Sequence, residues 1–187
     1  MNELVHADID GRKVLMQANR NGFFYVLDRA TGELIAAPKF VDKLNWADSI
    51  DLETGRPKET DVAMKAWSGE QITFWPSALG GKNWSPMAYN PKTRTIFANT
   101  NKFGMHYKAV EPQYRPGVFY FGAEFSWDWP DGDRGELRAF DPMTGVVKWS
   151  DSIAIPRYSG VLSTDGGLVF TGNMDGEFEA FNAETGD

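Results

Sequence analysis

The stretch Gly135-Glu136-Leu137-Arg138-Ala139-Phe140-Asp141-Pro142-Met143-Thr144-Gly145 is written a second time, with small changes, as Gly176-Glu177-Phe178-Glu179-Ala180-Phe181-Asn182-Ala183-Glu184-Thr185-Gly186. A third copy runs Gly22-Phe23-Phe24-Tyr25-Val26-Leu27-Asp28-Arg29-Ala30-Thr31-Gly32, and a worn fourth is Met87-Ala88-Tyr89-Asn90-Pro91-Lys92-Thr93. The unit reads glycine, alternating strand, Asp or Asn, two residues, Thr, Gly. Alternation marks a strand with one buried face. The Asp or Asn opens a turn by bonding to its own backbone two residues on. Gly32, Gly145 and Gly186 supply the positive φ that the return of the chain requires. After the Gly135 copy, Val146-Val147-Lys148-Trp149 reads as the next strand, its Trp placed to pack between neighbouring sheets. A period near 40 residues with about four strands per unit is the signature of a propeller blade. The expected fold is therefore all-β, a β-propeller.

Further strands are expected at 13–18, 71–74, 95–99, 118–121, 160–163 and 168–171, and a short helical turn at 61–67. Insertions break the spacing near 55–70 and 101–134. The second holds Asp128-Trp129-Pro130-Asp131-Gly132-Asp133, which reads as an exposed turn. About three to four blades are visible, whereas closed propellers have about four to eight, and an unclosed array leaves bare strand edges. Residues 1–187 are thus expected to form one partial β-propeller domain of a longer protein.

Composition narrows the function. Of 187 residues, 42% are hydrophobic and 14% aromatic, with 19 Gly and 10 Pro, a mix that suits short strands and tight turns. The formal net charge of −7 and the lack of any basic run argue against nucleic acid as a partner. The absence of cysteine excludes disulfides, thiolate zinc sites and c-type haem attachment within the chain. No apolar run approaches the roughly 20 residues of a membrane span. His6 and His106 lack metal-ligand spacing, and Asp128, Asp131 and Asp133 lack the D-x-[DN]-x-[DN]-G order of a calcium loop, so they read as a solvated loop. No Gly-rich phosphate loop, nucleophile elbow or dinucleotide fingerprint is present.

Three ordered stretches carry a resemblance. Gln17-Ala18-Asn19-Arg20-Asn21-Gly22-Phe23-Phe24-Tyr25-Val26-Leu27-Asp28-Arg29, Pro76-Ser77-Ala78-Leu79-Gly80-Gly81-Lys82-Asn83-Trp84-Ser85-Pro86-Met87 and Gly166-Gly167-Leu168-Val169-Phe170-Thr171-Gly172 resemble, in the same order, the quinoprotein alcohol dehydrogenases of methanol and ethanol type. The resemblance runs over essentially the whole chain. It implies an eight-bladed propeller in the full-length protein, of which this chain is a C-terminal-half portion. It implies pyrroloquinoline quinone as cofactor, with a calcium or lanthanide ion whose ligands fall outside this chain. The implied reaction oxidises a small primary alcohol to an aldehyde by hydride transfer to the quinone. An Asp general base and a metal Lewis acid come from the missing half, so the 187 residues alone are expected to be inactive. A cytochrome c-type electron acceptor, a periplasmic location and a homodimer of the full-length enzyme follow from the same resemblance.

Carried over by position, Arg20 matches the family's Arg or Lys beside the quinone oxygens. A fixed cation there would stabilise negative charge developing on the ring as hydride arrives, which makes Arg20 the catalytic as well as a cofactor-binding candidate. Asn83 matches an Asn that hydrogen-bonds the quinone; its amide donates without adding charge. Trp84 matches a neighbour whose indole N–H reaches a cofactor carboxylate. Tyr158 lies where several members carry a Trp lining the cofactor cavity. The plain alternatives are a surface Arg in an Asn-Gly turn, a turn-forming Asn after Gly80-Gly81, a Trp packed between blades and a loop Tyr. Two other functions compete with the enzyme reading: a non-catalytic binding or scaffold propeller, and a sugar- or polyol-oxidising relative that uses the same cofactor. A scaffold needs neither the Asn-Arg-Asn-Gly stretch nor Gly-Gly-Lys-Asn-Trp.

Overall fold

The computed structural model describes residues 2–119 and 121–187. Its first sheet is β1 (Val5–Ile9), β2 (Arg12–Ala18), β3 (Phe24–Asp28) and β4 (Leu34–Ala36), paired antiparallel in chain order. An excursion follows, built of the hairpin β5 (Ala47–Ile50) and β6 (Pro57–Glu59), the helical turn α1 (Asp61–Met64), a 3₁₀ turn (Lys65–Trp67) and β7 (Ile72–Phe74). The second four-stranded sheet uses β8 (Ala88–Asn90), β9 (Thr95–Asn101), β12 (Gly135–Phe140) and β13 (Val147–Ile153). Between β9 and β12 the chain leaves the sheet as the hairpin β10 (Gly104–Ala109) and β11 (Ala123–Asp128), which pairs with β7. The third sheet holds β14 (Leu162–Ser163), β15 (Leu168–Gly172) and β16 (Phe178–Asn182).

Three of these sheets have the blade pattern and stack face to face. Residues of β9 alternate between the two neighbours: Ile96 and Ala98 join Val14, Met16, Phe24 and Phe140 in one core, whereas Phe97 joins Leu137, Ala139, Trp149 and Val169 in the other. Both faces of the middle sheet are therefore covered, and every residue of β9 and β12 is buried. Trp149 stands 5.6 Å from Phe97 and 6.2 Å from Phe181 between ring centroids, so it packs between sheets as its place after the repeat foretells. Arg138, on the Phe140 side of β12, is buried without an unmet charge: it donates to Glu136, to Asp42 and, at 3.0 Å, to the Phe40 carbonyl.

The repeated turn is visible in atomic detail. The Asp28 carboxylate accepts the Ala30 and Thr31 amides, Asp141 those of Met143 and Thr144, and Asn182 those of Glu184 and Thr185. Gly32, Gly145 and Gly186 follow with φ of 79°, 73° and 83°. The worn copy at Asn90 is the same turn in a different place. It joins β8 to β9 inside the middle sheet, so it adds no blade.

Two other expectations are corrected. Residues 118, 119 and 121 are not in a strand, and Tyr120 lies outside the described residues; the second strand of this insertion, β11, starts at Ala123. The reason is that Phe119 and Phe121 stay exposed and stack on each other, instead of burying one face. Asp128 is no solvated loop residue: it ends β11, accepts the Trp75 indole N–H at 2.6 Å and lies 3.7 Å from His106. His106 in turn is 2.8 Å from the Thr73 hydroxyl, so it is a bridge within its sheet.

Candidate functional site

In each of the three sheets the first strand begins where the second ends. Val5 opposes Met16 across β1 and β2, and the β2-to-β3, β9-to-β12 and β15-to-β16 links all leave from that end. Residues just before a first strand and just after a second strand therefore share one rim. Arg20 follows β2, the segment 80–86 precedes β8, and Tyr158 precedes β14.

The segment 80–86 laces the three rims together. The Gly81 amide donates to the Arg20 carbonyl at 2.9 Å, and the Gly81 carbonyl accepts the Asn101 amide at 2.7 Å. The Asn101 side chain donates to the Gly80 carbonyl at 2.9 Å. At the other end, Ser85 Oγ donates to the Tyr158 carbonyl at 2.8 Å and the Pro86 carbonyl accepts the Val161 amide at 2.8 Å. Glycine at position 80 lets this segment touch the Arg20 backbone: a Cβ there would stand 2.6 Å from Arg20 Cα, and its φ of +84° suits no other residue well.

Arg20 and Asn83, 63 residues apart, meet directly: Arg20 Nη2 donates to Asn83 Oδ1 at 2.8 Å. The same Oδ1 accepts the Trp84 amide at 2.9 Å, and Asn83 Nδ2 donates to the Leu79 carbonyl at 3.0 Å. Asn83 is thus fixed by its own loop, while one proton of its amide meets no acceptor among the described residues. Arg20 is exposed, and among the described residues no carboxylate lies within ion-pair distance of it. Trp84 is 59% exposed and its indole N–H meets no acceptor among the described residues, so it does not pack between blades. Tyr158 is half-buried, and burial raises its hydroxyl pKa. Its backbone is tied to Ser85, but among the described residues its hydroxyl bonds to neither Arg20 nor Asn83.

Two flanking residues also hold the site, and the sequence did not disclose them. Lys82 is buried, bonded to Glu3 at 2.7 Å and to the Asn83 carbonyl at 3.2 Å. Arg157, before Tyr158, is buried against Glu179 and Asp151. Asn101 also lines a cavity of about 370 Å³ walled by Trp75, Asp128, Trp129 and Glu136. Asp128 there is partnered by Trp75 and Glu136 by Lys102.

Stacked antiparallel sheets of the blade pattern define a portion of a β-propeller. Comparison with known proteins is specific about which kind. The chain is 44% identical to a quinoprotein ethanol dehydrogenase of Pseudomonas putida, over 100% of this chain and 32% of that protein. It is 36% identical to a lanthanide-dependent methanol dehydrogenase of Methylorubrum extorquens, over 100% of this chain and 33% of that protein. The structure of a europium-containing methanol dehydrogenase superposes with a TM-score of 0.89 at 35% identity, covering 100% of this chain and 34% of that one. No protein-family model matches. Homology over its whole length places the chain in the quinoprotein alcohol dehydrogenase family. It spans about a third of the length of the relatives it matches.

Proposed function

We propose that residues 1–187 form one portion, from the C-terminal half, of the propeller of a quinone-dependent alcohol dehydrogenase, and that the Arg20–Asn83 rim is where this portion meets pyrroloquinoline quinone. The observation that carries the reading is the 2.8 Å bond between Arg20 and Asn83, made by a guanidinium that pairs with no acid among the described residues. The donor set fits the group. A planar molecule rich in carbonyl and carboxylate oxygens calls for a cation, a neutral amide and an indole N–H, and this rim offers all three.

When bound, the quinone supplies the hydride acceptor for oxidation of a small primary alcohol to an aldehyde. Arg20, anchored through Asn83, holds positive charge where negative charge develops, and its anchor removes the need to reorganise during the reaction. The free amide proton of Asn83 donates to a ligand oxygen, Trp84 contributes its indole N–H, and Tyr158 closes part of the cavity wall. A calcium or lanthanide ion and an Asp general base complete the reading from outside this chain. Relatives of 38% identity named as a lupanine 17-hydroxylase [cytochrome c] and a quinohemoprotein alcohol dehydrogenase favour a cytochrome c-type acceptor. A periplasmic location and a homodimer of the full-length enzyme belong to the same proposal. The relatives' names favour an alcohol enzyme over a scaffold propeller or a sugar-oxidising one.

Titration of pyrroloquinoline quinone into the protein, read by quenching of tryptophan emission, tests this. Saturable binding is expected, weakened about tenfold or more by Arg20→Ala and by Asn83→Ala, the effect of losing a charge-assisted hydrogen bond. Equal affinity in both variants and wild type would remove the site.

A further inference from the structure

Lys82 is the least exposed cation of the chain among the described residues, at 1%, and it stands immediately before Asn83. Burial of an ammonium is costly unless it is paired. Here desolvation lowers the Lys82 pKa, and the hydrogen bond and charge of Glu3 oppose that shift. The pairing reaches further than charge balance. One oxygen of Glu3 accepts Lys82 Nζ at 2.7 Å, and the other accepts the Met87 amide at 2.7 Å. A single carboxylate therefore grips both ends of the segment that contains Asn83 and Trp84. Lys82 Nζ also donates to the Asn83 carbonyl at 3.2 Å, so the same ammonium fixes the backbone from which the Asn83 side chain reaches Arg20.

We propose that Glu3 and Lys82 are positioning residues that clamp the Lys82–Met87 segment and so set the reach of Asn83 and Trp84 toward the quinone, an inference that rests on the functional reading above. Stability alone does not require such a pair, because apolar residues of similar volume commonly replace a buried ion pair without loss. What apolar residues do not supply is a grip on the Asn83 carbonyl and the Met87 amide at once.

The test compares wild type, Lys82→Met, Glu3→Leu, the double variant and Arg20→Ala by urea unfolding, quinone titration and amide hydrogen exchange. Each single clamp variant is expected to lose stability and to bind quinone about tenfold more weakly, as for one hydrogen bond misplaced. The double variant is expected to regain stability but to stay about tenfold weak. The Trp84 amide, which reports the Asn83 Oδ1 contact, is expected to exchange about tenfold faster in the double variant than in wild type. Recovery of wild-type affinity together with stability would reduce the pair to a structural role. An unchanged Trp84 exchange rate in the double variant would overturn the clamp whether or not quinone binds. Arg20→Ala with wild-type affinity would instead overturn the site reading and leave the exchange result to judge the clamp.

Discussion

At the residue scale, Gly80 shows how little room the rim leaves. Its φ is +84°, and an added Cβ would meet Arg20 Cα, Cβ and Cγ at 2.6 to 2.7 Å. Backbone atoms cannot swing away as a flexible side chain does, so the Arg20 turn itself would have to move. Gly11 has a similar φ of +79°, but an added Cβ there would meet nothing within 4 Å. Gly11→Ala therefore isolates the conformational strain, about 1 kcal/mol, whereas Gly80→Ala adds the clash and is expected to cost about 2–4 kcal/mol. Urea midpoints of the two variants measure the difference, and equal midpoints would mean that the Arg20 turn yields freely. Displacing Arg20 should also weaken quinone binding in Gly80→Ala and not in Gly11→Ala.

At the element scale, Trp149 of β13 joins two blades with one side chain. It lies between Phe97 and Phe181, and its indole N–H donates to the Ala183 carbonyl at 3.0 Å. Trp149→Ala removes both ring contacts and leaves that carbonyl unpaired, so a loss of about 3–5 kcal/mol is expected. Trp149→Phe keeps most of the packing and should recover more than half of it. Chemical denaturation decides, and an Ala variant within about 1 kcal/mol of wild type would show that the outer strand contributes little to blade stacking. The turn after β12 that delivers Trp149 was legible because its chemistry is local: Asp141 bonds to Thr144, three residues on, and Gly145 follows at once. The same locality explains the worn fourth copy. Asn90 accepts the amides two and three residues on in the same way, as does Asp51 with Thr54 between β5 and β6, and neither turn encodes which strands it joins. The Arg20–Asn83 pair was legible because both residues sit in recognisable stretches. Glu3 and Lys82 were not, because a Lys in a polar loop looks solvated until a carboxylate 79 residues away is folded against it.

At the scale of the whole molecule, stacked blades concentrate charge at the places where they meet, and three carboxylates there and in the turns are held below the ordinary range. The hydrogen bonds and charge of Arg157 lower the Glu179 pKa. Backbone amides of Ala30 and Thr31 lower that of Asp28, and those of Thr54 and Glu53, with the Thr54 hydroxyl, lower that of Asp51. Free Asp and Glu titrate near about 4. Below that pH the unfolded chain binds protons at these positions that the folded chain still refuses, so unfolding gains as pH falls. The stabilisation is complete above the unfolded values and is lost as pH drops through the lower, folded ones. The urea midpoint is accordingly expected to hold between about pH 7 and 5 and to fall steadily from about pH 4 downward. Glu179→Gln removes one of the three and leaves Arg157, only 4% exposed, with Asp151 as its remaining acid. That variant should start lower at pH 7 and lose less on acidification. A slope as steep as wild type would locate the acid sensitivity in the turns, and a midpoint unchanged at pH 7 would mean that Asp151 alone satisfies Arg157.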